Sequence, residues 1–164
     1  MNALDFKQAM RRAIFVLGAL SGVLVTPAST FAREYLSLPP EIASRSYSPA
    51  VITRGGRVAW LAGVTTLKDE DGKSLAGDIE GQTRFIFREI ERNLKKVGGK
   101  LDDIVYMTVY LTDARNGSEF SKVRKEVFPN EKPASSQITV AALAVPGFLI
   151  EIQCIAVIGD EPAH

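Results

Sequence analysis

One stretch near the end of the chain, Gly147–Gly159 or GFLIEIQCIAVIG, most restricts what this sequence can become. It reads as a strand, and a strand sends successive side chains to opposite faces. Ile150, Ile152, Cys154, Ala156 and Ile158 share one face, all apolar. Leu149, Glu151, Gln153, Ile155 and Val157 share the other. A strand largely apolar on both faces needs cover on both. Glu151 is out of place in it. A carboxylate there is costly unless it is hydrogen-bonded, paired with a cation or turned toward a wet cavity. Glu151 therefore either sits on an exposed strand face or beside an arginine, or it lines a cavity and has a chemical role.

The rest of the chain supplies cover for one face only. Ala50 to Thr53 and Arg57 to Val64 are short apolar runs around RGG, a pattern that predicts a hairpin. Lys68 to Gly77 is polar with two glycines, which predicts a loop. From Ile79, apolar or small residues recur at Thr83, Ile86, Ile90, Leu94 and Val97, the spacing of a helix. Arg84, Arg88, Glu91, Arg92 and Lys95 lie off that stripe, and Gly98-Gly99 suits a C-terminal cap. Ile104 to Leu111 is β-branched and aromatic, a strand. Ser118 to Phe128 reads as a second helix, with Phe120, Val123 and Val127 inward and Pro129 as its stop. Ser135 to Val140 and Leu149 to Ile158 are the last strands.

The order ββαβαββ predicts a single α+β domain with both helices on one sheet face. The second face of the last strand then needs another cover. A homo-oligomer is the simplest source, because symmetry supplies the same patch again. Glu151 would then stand at a subunit boundary.

The N-terminus has its own pattern. Lys7, Arg11 and Arg12 form a basic start, Ala13 to Val25 carries no charge, and PASTFA ends in small residues. Residues 1–32 therefore read as a signal peptide cleaved before Arg33, with a second candidate cut before Ser29, and 33–164 as the mature domain. An uncleaved N-terminal anchor is the competing reading. Pro27 and the hydroxyls of Thr26, Ser29 and Thr30 shorten the apolar run below the roughly 20 residues of a spanning helix. The expected location is periplasmic or secreted, with no membrane partner after cleavage. Only Cys154 is present, so no internal disulfide can form and the fold rests on packing.

Several chemistries are disfavoured. The formal net charge of +1 gives no electrostatic case for nucleic acid as a partner. The one histidine is His164, the last residue, which argues against a histidine dyad or triad. With one Cys and one terminal His, no metal site is expected. Neither GxGxxG nor GxxxxGK[ST] occurs. Cys154, on the apolar face of its strand, fits inert packing better than a nucleophile.

Four segments, SYSPAV, DIEGQTRFIFREIERNLKKVGGKLDDIVYMTVYLTD, KPASS and IEIQCIAV, together resemble the Rid family, also called YjgF-like. The similarity runs from about Tyr47 to Val157 in the family's order. It implies a chorismate-mutase-like α+β fold, a mixed sheet and a homotrimer with clefts between subunits. It also implies an enamine/imine deaminase that hydrolyses 2-imino acids to 2-keto acids and ammonia without a cofactor. By that resemblance Glu151 would position or deprotonate the attacking water. Tyr47 would form a cleft wall or donate a hydrogen bond, and Gly63 would let backbone approach the ligand.

The sequence departs from the family pattern at its anion anchor. The family's PARS segment places an arginine on the substrate carboxylate; here the segment is Pro133-Ala134-Ser135-Ser136, and Ser135 holds the arginine's place. Gln153 stands at the second acidic position of the strand, and Arg124 at the family's cleft-side position on the second helix. Arg124 reads either as a substitute cation or as a solvated helix charge. Three function classes stay open: an imine-type hydrolase, a non-catalytic trimeric small-ligand binder, and, least supported, the ribonuclease activity attached to some relatives.

Overall fold

A computed structural model describes residues 31–159. The segment expected to be a signal peptide lies, up to residue 30, outside the described residues. The elements run β1 (Ala32–Tyr35), β2 (Val51–Arg54), β3 (Arg57–Trp60), α1 (Ile79–Lys95), β4 (Ile104–Leu111), α2 (Gly117–Val127), β5 (Ala134–Thr139) and β6 (Ile150–Ile158). The expected boundary before Arg33 falls inside β1, and Phe31 packs its ring against Gly56 and Gly159.

The main sheet has the order β3-β6-β4-β5. β6 is antiparallel to both β3 and β4, and β4 is parallel to β5, so the sheet is mixed. α1 and α2 cover one face. The hairpin expected around RGG is not built. Gly55 and Gly56 do turn the chain with positive φ, at 67° and 80°. Their flanking strands nevertheless pair elsewhere: β2 with β1 in a separate two-stranded sheet, β3 with the end of β6. The sequence reading contained no strand at 32–35, and that strand supplies the competing edge for β2.

α1 begins where the Asp78 carboxylate accepts from the Gly81 N–H at 2.8 Å. This satisfies one of the orphan donors of a first turn. Glu80 in the first turn and Arg92 and Lys95 in the last complement the helix dipole. The helix stops at Lys95, two residues short of the periodic stripe. Gly98 takes φ +79°, and the Gly99 N–H closes back on the Leu94 carbonyl at 2.8 Å. Val97 is left exposed beyond the end.

The core lies between helices and sheet. Ile86, Ile90, Leu94, Phe120 and Val123 meet Met107, Val109, Ile152 and Cys154, all buried. Phe87 stands at its centre, edge-on to Phe128 with centroids 5.6 Å apart and 6.5 Å from Phe120. Gln82 is the buried polar exception. Its amide donates to the Leu75 and Gly147 carbonyls and accepts from Leu149 N–H, so it ties two loops to α1 at no unsatisfied cost.

The even-numbered residues of β6 are buried under the helices, as the strand pattern predicts. Its odd face is the outer side of the sheet. Glu151, Gln153 and Ile155 there lie opposite Tyr110, Thr108 and Tyr106 of β4. Trp60 and Val58 on β3 and Ile138 on β5 are exposed.

Candidate functional site

The residues singled out by sequence fall into two groups. The first is built on the odd face of β6. Glu151 is half-buried, and among the described residues no side chain donates to its carboxylate. Its neighbour in space is Gly63. Beyond β3 the chain stays on β6: Leu61 N–H donates to the Cys154 carbonyl at 3.0 Å, and Val64 N–H donates to the Ile152 carbonyl at 2.9 Å and receives the reverse bond at 3.1 Å. Thr65 adds its hydroxyl to the Ile150 carbonyl at 3.0 Å. These bonds press Gly63 against Glu151. A β-carbon at residue 63 would stand 2.1 Å from Oε1 and 2.9 Å from Cδ of Glu151. Any larger residue there would have to displace the Glu151 side chain. Beside them on the same face, the Tyr106 hydroxyl donates to Ser136 Oγ at 3.0 Å, and this contact, with Thr108, draws the phenol below its ordinary pKa.

The second group gathers around Arg124 on α2. The reading of this residue as a solvated helix charge is wrong: it is 4% exposed. Its position explains why. Phe120, Val123 and Val127 form the inward stripe, and residue 124 follows Phe120 by one turn on the same side. The guanidinium lies over the Phe120 ring, 4.9 Å from its centroid. Nε donates to Ser46 Oγ at 2.9 Å and Nη1 to Ser135 Oγ at 2.8 Å. Ser135 reaches it because it pairs with Met107, whose side chain is on the helix-covered face. Burial draws the Arg124 pKa down to about 10, an effect that neighbouring Tyr47 opposes. Tyr47, Arg124 and Lys125 line a cleft of about 270 Å³ together with Arg45, and Tyr47 also borders a second cleft beside Lys132.

Glu151 and Gly63 thus belong together, as do Tyr47, Arg124 and Ser135. The two groups do not meet in one chain. Glu151 is level with Tyr110 on the outer face, and Ser135 is level with Met107 on the covered face of an edge strand. Ser46 and Arg45 went unmarked in the sequence, where nothing distinguishes them from other loop residues. Cys154 is buried between helices and sheet, in keeping with a packing role, and burial pushes its thiol up to about 12. Among the described residues no group of three or more His, Cys, Asp or Glu side chains converges, and no helix is long and apolar enough to cross a membrane.

An α+β domain with an outer-face carboxylate and a separate cationic cleft defines the class. The family model described as endoribonuclease L-PSP matches residues 39–158. The chain belongs to this family, the one also called YjgF or Rid. A RutC family protein of Pyrococcus horikoshii is 34% identical over 110 residues, 67% of this chain and 85% of that protein. The 3-aminoacrylate deaminase RutC of Acinetobacter baylyi is 31% identical over 118 residues, 72% of this chain and 90% of its own. Among solved structures, the Rid-family protein YyfB of Yersinia pestis superposes with a TM-score of 0.66 at 25% identity, covering 77% of this chain and 98% of its own. A YjgF-family member from Mycobacterium tuberculosis reaches 0.55 at 34% identity, covering 77% and 100%.

Proposed function

We propose that the protein hydrolyses a small enamine or imine of the 2-imino acid type to a keto acid and ammonia. The observation that carries this reading is the Glu151 carboxylate, seated over Gly63 on the outer sheet face with no protein donor among the described residues. A carboxylate so placed is available to a water molecule. In the reaction, water adds across the C=N bond while Glu151 accepts one of its protons and passes it to nitrogen, giving the carbinolamine. The hydroxyl proton then follows by the same carboxylate to nitrogen, the C–N bond breaks as the C=O bond forms, and ammonia leaves. The likeness to a 3-aminoacrylate deaminase supports the reaction class. No cofactor takes part.

The reading requires a homotrimer or similar assembly. A ligand that touches both Glu151 and the Arg124 group must lie between two copies, since the groups occupy opposite faces within one. The exposed Trp60, Val58 and Ile138 are the apolar material for that contact. Export is part of the proposal too, on the strength of the basic start and apolar run of residues 1–32; an N-terminus of the native protein at Arg33 or Ser29 would support it.

The second reading is a trimeric binder of small ligands without turnover, favoured by Ser135 in place of arginine. Assay of 2-iminopropanoate and 3-aminoacrylate with wild type and Glu151→Gln decides. Ammonia release by wild type, reduced about 10²- to 10⁴-fold in Glu151→Gln, supports hydrolysis. Ligand binding without turnover in either protein supports the binder.

A further inference from the structure

Arg124 has the chemistry of an anion anchor, and among the described residues no carboxylate pairs with it. A guanidinium carries five N–H donors. Ser46 takes the one on Nε and Ser135 one of the two on Nη1. The remaining three, at the Nη1/Nη2 end, have no partner among the described residues. Yet no buried polar side-chain atom lacks a hydrogen bond. Nη2 is therefore reachable from outside, through the cleft that Arg124 lines. That cleft has three cations on its walls, Arg45, Arg124 and Lys125, and no acidic residue. Tyr47 and Ser121 complete its polar lining. Buried charges are normally paired, because neutral hydroxyls repay only part of the lost hydration. Two hydroxyls and a phenyl face hold this one in position and leave Nη2 free.

We propose that Arg124, flanked by Arg45 and Lys125, binds the carboxylate of a small organic acid, so that the positive charge missing from strand position 135 is delivered from helix α2. Ser135 is then a positioning residue: its hydroxyl holds Nη1 where a strand arginine would otherwise project. The two N–H bonds side by side at the free edge match the two oxygens of a planar carboxylate. A cleft of about 270 Å³ has room for a molecule of a few heavy atoms. This inference rests on the hydrolase reading for the identity of the acid, and it fails separately from it.

The test measures pyruvate binding by calorimetry and by thermal shift on the full protein. The proteins are wild type, Arg124→Met, Arg124→Lys, Ser135→Ala and, as a control on the surface of the same helix, Lys122→Gln. Wild type and Lys122→Gln should bind alike. Arg124→Met should lose at least about tenfold in affinity, with Arg124→Lys between. Ser135→Ala should weaken binding less than Arg124→Met does. Without ligand, Arg124→Met should melt no lower than wild type, because it removes an unpaired buried charge; a purely structural arginine would give a lower melting temperature. 2-Butanone, which lacks the carboxylate, should not bind. Unchanged pyruvate affinity in Arg124→Met overturns the proposal, as does a preference for inorganic phosphate over pyruvate. Binding that depends on Arg124 without any turnover leaves the inference standing and removes the hydrolase reading. Turnover with a KM insensitive to Arg124→Met does the reverse.

Discussion

Glu151 and Gly63 share one space: the carboxylate oxygen stands 2.1 Å from where a β-carbon on residue 63 would be. Gly63 is not among the residues with positive φ, so alanine there meets no backbone penalty. The atoms in its way are the end of a flexible side chain. Gly63→Ala should therefore fold normally and push the carboxylate aside. We expect a melting temperature within a few degrees of wild type and turnover of a 2-imino acid reduced by about 10- to 100-fold. Steady-state kinetics beside a thermal melt checks both, and full activity in the variant would show that the carboxylate's position is immaterial.

The outer sheet face should be the contact between copies. Ile155 lies at its middle, opposite Trp60 on one side and Tyr106 on the other. Ile155→Asp places a charge in that contact without entering the core. Sedimentation velocity should show a trimer for wild type and monomer for the variant, with unchanged far-UV circular dichroism. A variant that stays trimeric would move the interface elsewhere.

Phe87 anchors the helix layer through its contacts with Phe120 and Phe128. It is 2% exposed, and truncation leaves a cavity that rigid neighbours cannot close. Phe87→Ala should cost about 3–5 kcal/mol in urea unfolding. A loss under about 1 kcal/mol would mean that this part of the core is loosely packed.

Cys154 gives a pH dependence. Burial raises its pKa from the ordinary 9.0 to about 12. Between those values the native thiol keeps a proton that the unfolded thiol has released. Stability from this group is thus complete below pH 9 and declines as pH rises toward 12. The urea midpoint should fall more steeply above pH 9 in wild type than in Cys154→Ala. At pH 8, a disulfide reagent should leave the native thiol untouched and titrate it once urea is added.

Periodicity carried much of this architecture. The alternation in β6 correctly separates a helix-covered face from an outer face, and the stripe from Ile79 to Leu94 correctly marks α1. Both signals are strong because burial repeats along each element. What failed was non-local. Nothing in RGG says whether its flanking strands pair with each other or with Ala32–Tyr35 and β6, since the turn geometry is the same either way. For the site, Glu151 was legible as a charge in an apolar strand. Arg124 was legible in principle: it occupies the fourth position after Phe120, on the inward stripe where an apolar residue belongs. Its partner Ser46 was not, because that contact joins residues 78 positions apart.

β6 is the last strand among the described residues and an inner strand in the sheet, bonded to β3 on one side and β4 on the other. Until its nine residues emerge from the ribosome, the two halves of the sheet have nothing to join them. Closure of the core therefore waits on β6, and a chain lacking this strand cannot complete its sheet. A chain truncated before Ile150 should accumulate as insoluble material.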